Sequence, residues 1–286
     1  MLAIIGSIVV IVAVLGGFVL SHGKIAALWQ PYELVIIGGA AFGAFLSSNS
    51  KQVVIGTLKG VLQVLKGPKY KQSHYLAILS LLYALLNKMR KDGAMSLEED
   101  VENPDKSPIF SKFPEVLADH HLIEFITDCL RLMVSGNINP HELEPLLELE
   151  LEKHHHDALA PAHALSKVSD GLPGFGIVAA VLGIVITMGA LDGPVNEIGH
   201  HVAAALVGTF LGILLAYGFV SPLATAMEGL AHEDSAALEC IKSALLAALR
   251  GYNPIVAVEF ARKSLNSKVR PAFAALETHL KESAKK

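Results

Sequence analysis

The chain has 286 residues, 52% of them hydrophobic and 17% charged, with a formal net charge of −4. Soluble domains average roughly 25% charged residues, so an ordinary soluble domain is disfavoured, and so small a net charge argues against a nucleic-acid partner held by a basic surface. The two cysteines, Cys129 and Cys240, lie far apart in polar surroundings, fit no metal-ligand spacing, and read as reduced cytosolic thiols.

The charge deficit is local. Residues 1–23, 34–50, 171–191 and 198–227 contain no Asp, Glu, Lys or Arg. A membrane-spanning helix needs about 17–25 largely apolar residues, which three of these segments exceed and the second just reaches. No basic stretch precedes the first run and no A-x-A site follows it, so it reads as a retained helix rather than a cleaved signal. Lys51, Lys59, Lys66, Lys69 and Lys71 follow the second run directly, whereas DGPVNEIG (192–199), between the third and fourth, has no basic residue. The positive-inside rule then puts both termini and the middle of the chain in the cytoplasm.

The expected fold is an all-α membrane protein with four transmembrane helices in two hairpins, a large helical cytoplasmic insert and a helical C-terminal tail. The boundaries are transmembrane helices at 1–23, 33–50, 171–191 and 200–224, the insert at 51–169, and C-terminal helices in 225–286. Within the insert, 75–93 shows helical apolar spacing with basic residues in its last turn and Gly93 as its stop. Ser96 and Glu99 have the spacing of a capping box. A second helix covers 120–136 and ends at Gly136, and an acidic helix covers 141–159 with Pro145 near its start. The tail holds two further helices, 235–251 and 253–265.

Small residues mark the last two membrane helices. Gly176, Ala180, Gly183, Thr187 and Ala190 form one stripe, and Ala205, Thr209, Gly212 and Ala216 form another. In lipid no hydrophobic effect drives helices together, so such stripes signal a close neighbour on that face. On the residues alone, packing is a better account of them than an ion path. Gly39 and Gly43, in GxxxG spacing, read as packing. No ionisable residue sits in the middle of any span; Asp170, Asp192 and Glu197 lie at ends, and His200 and His201 near the outer end of the fourth. Ion sites usually require an intramembrane carboxylate or histidine. Either this chain moves no ion, or a partner helix supplies the titrating group.

Pro173 and Pro222 fall at the cytoplasmic ends of the third and fourth helices. Proline is ordinary near a helix start, but Pro222 lies inside a continuous helical pattern, where it removes a bond and bends the axis. His154–His156 suggests a metal site, yet consecutive helical residues point about 100° apart and cannot converge on one ion. No metal site, catalytic residue, nucleotide loop or paired carboxylate is found, so an enzyme is not expected and no cofactor is implied.

QPYELVIIGGA (30–40), SLEEDVENP (96–104), LPGFGIVAAVLG (172–183), VGTFLGILLAYGFVSPLA (207–224) and GYNPIVAVEFARK (251–263) together resemble the A subunit of the bacterial flagellar stator, the MotA/PomA family, in order over nearly the whole chain. The resemblance implies an ion-driven torque generator in the bacterial inner membrane, multi-pass, with 51–169 as its torque domain. It implies a pentamer around a dimer of a MotB-like B subunit, whose single membrane helix brings the ion-binding aspartate. Thr209 matches the family's ion-path threonine, and Pro173 and Pro222 match its coupling prolines. Sodium-driven relatives carry a hydroxyl residue at the position of Ala180, so the resemblance implies a proton gradient as energy source, with sodium disfavoured. Arg90 and Glu98 match charges that face the rotor switch protein (FliG-like). Local physics alone would read them as a helix end and a first-turn acid. Lys91 and Glu99 add charge beside them, and Glu99 stands where a basic residue is expected. Alternatives are an ExbB/TolQ-like energiser of outer-membrane transport, whose members typically have three spans, and a non-conducting membrane scaffold.

Overall fold

The computed structural model describes residues 2–136, 138–189, 191 and 194–283, and there is no strand among them. In chain order the helices are α1 (Leu2–Leu20), α2 (Pro31–Ser48), α3 (Lys51–Lys66), α4 (Gln72–Asp92), α5 (Glu98–Glu102), α6 (Pro114–Leu117), α7 (His120–Val134), α8 (Pro140–Gly189), α9 (Val195–Leu215), α10 (Ser221–Leu249), α11 (Pro254–Ser264) and α12 (Phe273–Ser283). A π-helical turn, Ala216–Val220, joins α9 to α10. Four helices are long and apolar enough to cross a membrane: α1, α2 with the turn before it, α8, and the run from Glu197 to Leu249.

The local signals explain most boundaries. Pro31 opens α2 where its missing N–H has no intrahelical partner to lose. Ser50 caps α3 by accepting the Val53 N–H at 3.4 Å, and Asn253 caps α11 by accepting the Val256 N–H at 2.9 Å. Gly93 stops α4 at φ 85°, and Gly136 follows α7 at φ 68°; side-chain-bearing residues adopt such angles only under strain.

Three expectations need correction. The acidic helix and the third membrane segment are one 50-residue helix, so Pro173 lies in a helix interior rather than near a start. Proline removes a single backbone bond, and packing of both halves carries the axis through it. Likewise the helix expected at 235–251 is the second half of α10 and does not stand alone. Ser96 and Glu99 form no capping box. Their segment is a 3-10 turn, Ala94–Leu97, running straight into α5, with Leu97 in helical geometry where an extended cap residue is needed. The Ser96 hydroxyl instead donates to the Gly93 carbonyl at 2.7 Å.

The chain divides into two compact units. The first comprises residues 1–67 and 157–230 and holds the apolar spans. Its contacts centre on Ile37, Ala41, Leu172, Ala179 and Ala216, with a smaller cluster of Val64, Ala162 and Met227. The amphipathic α3 belongs here, docked through Thr57, whose hydroxyl donates to Val53 O at 2.8 Å and Pro161 O at 3.3 Å. The second unit comprises residues 68–156 and 231–286. Its core is built of large side chains from α4, α7 and α10, among them Ile78, Leu82, Leu85, Leu86, Ile126, Leu130, Ile241 and Leu245, each sealed from solvent. The division differs from the expected one at 51–169, because α3 and residues 157–170 pack with the membrane helices.

Candidate functional site

The membrane segment of α8 and α9 pack backbone to backbone, because glycine supplies the clearance. A Cβ placed on Gly212 would lie 2.7 Å from Leu172 O and 2.9 Å from Gly176 Cα. One on Gly176 would lie 3.0 Å from Gly208 O and 3.4 Å from Thr209 Cα, and one on Gly183 2.9 Å from Ala205 Cβ. The two small-residue stripes are therefore each other's neighbours over Gly176–Gly183 and Ala205–Gly212. Ala190 and Asp192, named above, lie outside the described residues.

The crossing brings the backbones of Gly208 and Ala180 close, with Thr209 the next residue along α9. A Cβ on Gly208 would meet Ala179 Cβ at 3.2 Å and Ala180 N at 3.5 Å, and Thr209 follows Gly208 in the chain. Both Thr209 and Ala180 are half-buried. Thr187, one stripe position beyond Gly183, is buried and donates its hydroxyl to Gly183 O at 2.8 Å, the usual local bond of a helical threonine. Among the described residues Thr209 has no such bond, so its hydroxyl is available to water or to another chain.

The two prolines act on opposite sides of one buried hydrogen bond. Pro173 deprives the Ser169 carbonyl of its helical donor four residues on. The Ser169 side chain is buried and its hydroxyl donates to Ala216 O at 3.0 Å, across to the π turn. The turn exists because the Ser221 N–H reaches back five residues to Ala216 O, just before Pro222 opens α10 without an N–H. A π turn widens the helix locally, and such turns concentrate at functional sites. The expected kink at Pro222 is thus accommodated by an extra residue in the turn before it.

In the second unit, Arg90 and Glu98 are both exposed, at the end of α4 and the start of α5. The ion pairs of this segment are made by other residues. Lys88 reaches the buried Asp100 at 2.6 Å, and Arg131 reaches Glu102 and Asp128, each at 2.7 Å. Asp100 also accepts the Ser107 hydroxyl, whose oxygen accepts the N–H groups of Ile109 and Phe110. This network pins residues 100–110 beneath the exposed charges.

A second polar cluster surrounds Asp119. Burial alone would raise its pKa, but Lys69 at 2.8 Å and the Tyr70 hydroxyl at 2.6 Å hold the carboxyl below the usual range. Desolvation pushes the His74 imidazole down and the Asp234 carboxyl up. The histidine run splits between neighbours: His155 bonds Ser235 at 2.7 Å and lies against His232, while His154 lies against His121.

Sequence reasoning missed Glu33, Ser169 and the Lys88–Asp100–Ser107 network. Glu33 sits one residue outside the charge-free segment that begins at Leu34, and it packs against α9 beside Gly208. A charged residue at a span's edge was the available signal. Ser169 lies four residues before Pro173, the position whose carbonyl a proline strands; that spacing was legible too.

Two family models match the chain, one described as Motility protein A N-terminal over residues 4–93 and one as MotA/TolQ/ExbB proton channel family over residues 118–240. Motility protein A of Salmonella typhimurium is 48% identical over 281 residues, covering 98% of this chain and 95% of that protein. Motility protein A of Escherichia coli is 47% identical with the same coverage. The fold is similar to that in a solved structure of C. jejuni MotAB, with a TM-score of 0.74 at 19% identity, over 93% of this chain and 95% of that one.

Proposed function

The chain belongs to the motility protein A family, and from that premise we propose how this stator subunit of the flagellar motor works. It conducts protons through a path shared with a MotB-like B subunit and converts each passage into motion of its cytoplasmic unit. The observation that carries this reading is the α8–α9 crossing. It presents a threonine hydroxyl without a local bond, one residue on from the glycine packed against Ala180, in spans whose centres carry no ionisable side chain. The titrating carboxylate then comes from the partner's membrane helix, an aspartate brought to the level of Thr209. MotAB complexes of relatives support this pairing.

Ala180 supports protons over sodium as the coupling ion. A sodium ion sheds its hydration only if oxygen ligands replace it, and a methyl group offers none. Protonation and release at the partner's aspartate would alter the charge against which α8 and α9 pack. The Ser169–Ala216 bond, between Pro173 and the π turn before Pro222, is where that change reaches the inner ends of the helices. Because α8 and α10 continue unbroken into the second unit, a shift there is carried to residues that approach the rotor. Arg90 and Glu98, exposed and outside the local ion pairs, then meet opposite charges on a FliG-like switch protein. We place the assembly in the bacterial inner membrane, with both termini cytoplasmic and five copies around a B dimer.

Co-expression with the B subunit and a cytoplasmic pH readout tests the reading. Acidification should appear with the pair, disappear when the partner's aspartate is neutralised, and persist in sodium-free medium. Conduction that requires sodium would overturn the choice of ion, and conduction unchanged by loss of the aspartate would overturn the shared path.

A further inference from the structure

Glu33 stands apart from the proposed path in sequence but not in space. It lies in the first turn of α2, and its side chain crosses onto α9: a Cβ on Gly208 would lie 3.6 Å from Glu33 Cγ. Gly208 is the residue before Thr209, and the same Cβ position lies 3.2 Å from Ala179 Cβ and 3.5 Å from Ala180 N. Glu33 therefore abuts the glycine that precedes Thr209 and packs against Ala180.

The level of Glu33 is set by its neighbours. Trp29 and Tyr32 are exposed just before and beside it, and rings of this kind collect where a span meets the membrane surface. The positively charged loops lie at the other end of α2, so this is the outer end. The carboxylate is not simply solvated there. Its Oε2 is shielded from solvent and has no hydrogen-bond partner among the described residues. A shielded carboxylate oxygen with no protein donor leaves a position that a water can bridge.

We infer that Glu33 is the outer relay of the ion path: it takes a proton from water on the outer face and passes it inward beside Gly208 and Thr209. One O–H bond forms on the carboxylate and then breaks as the proton moves through water to the partner chain's carboxylate; Glu33 returns to its anionic form. The inference rests on the conduction reading above and adds the residue that feeds the path.

The full chain is co-expressed with its B subunit, carrying Glu33→Gln or Glu33→Asp. Cytoplasmic acidification is measured alongside copurification of the partner. Glu33→Gln should slow acidification roughly tenfold or more with the partner retained, while Glu33→Asp keeps most of it, as expected for a proton-transferring carboxyl. Acidification by Glu33→Gln at the unsubstituted rate overturns the relay alone. Failure of the unsubstituted complex to acidify overturns the conduction reading and the relay with it. Glu33→Cys gives a check that does not depend on rate. The two native thiols are buried, at 1% and 0% exposure, so a membrane-impermeant thiol reagent added outside should label only the new cysteine. No labelling in the assembled complex means no water reaches this position, and the relay falls.

Discussion

The two units of this chain are held together in opposite ways. In the membrane unit the closest contacts are made where side chains are missing, at Gly176, Gly183, Gly208 and Gly212. In the second unit the largest sealed side chains crowd together: Tyr75, Leu79, Leu81, Leu82, Phe110, Leu122 and Ile126 are all there, whereas among the described residues Ile37 alone of the largest fully buried set lies in the membrane unit. The difference follows from the solvent. Water rewards burial of apolar area, roughly 25 cal/mol per Å², so a water-facing unit gains by burying bulk. Lipid offers no such reward, and close approach of backbones with their dispersion contacts is what remains. One chain can thus couple a thin, precisely spaced helix pair to a sturdy domain.

The contrast can be broken most completely at Gly212. Valine there would place Cβ 2.7 Å from Leu172 O and 2.9 Å from Gly176 Cα, both backbone atoms with no rotamer to yield. Overpacking of this kind costs about 1–3 kcal/mol even where side chains can move, and here the helix pair must separate. Gly212→Val should abolish partner copurification and swimming, while Gly174→Ala, with open space around its Cβ, should leave both intact. Normal swimming by Gly212→Val would mean that the crossing is not the spacing element.

A smaller and local effect is expected at Asp100. Asp100 is buried but Lys88 is about one-third exposed, so losing the carboxylate costs well under the about 3–5 kcal/mol of a fully buried pair. Asp100→Ala strands Lys88 and frees Ser107, so residues 100–110 should loosen. Labelling of Cys129, buried in the same unit with its thiol pushed up to about 12, is the readout. It should accelerate in Asp100→Ala and return toward the original rate in the Lys88→Met, Asp100→Leu double variant.

Smaller still is the contribution of Asp119. Its folded pKa lies below the ordinary 3.8, so the stabilisation it provides is fully present above that value and is lost as pH falls through the folded pKa. Asp119→Asn should therefore lower the melting temperature at pH 7, and the gap should close on acidification below about pH 4. A gap that widens on acidification would show that Lys69 and Tyr70 do not hold the charged form.

How much of this was legible beforehand depended on which of the two solvents wrote the signal. The spans were plain, since lipid excludes charge over about 20 residues. The stops at Gly93 and Gly136 were legible because positive φ narrows the choice of residue. The stripes announced a close neighbour but not which one; that the neighbour lies in the same chain is a tertiary fact. The continuity of α8 through Pro173 was hidden, because a proline reads as a boundary until packing overrides it. Ser96 and Glu99 matched a cap by spacing while the backbone took a 3-10 turn. Arg90 and Glu98 carried no physical signal of function at all, and only likeness to a family singled them out.

That last pair provides the smallest effect on stability and the sharpest separation of folding from function. Both side chains are exposed, and the ion pairs beside them use Lys88 and Arg131 instead. Surface substitutions away from caps and buried networks usually stay within about 0.5 kcal/mol. Reversing Arg90 to Glu, or Glu98 to Lys, should therefore leave Cys129 labelling and partner copurification unchanged. Swimming should still fall in each single variant if these charges meet a rotor surface, with the deficit deepening at low ionic strength, where screening is weakest. An equal loss of stability and swimming would return both residues to the ordinary business of ending one helix and starting the next. Loss of swimming alone would put the work of this sturdy unit on its rim, where it stores no folding energy.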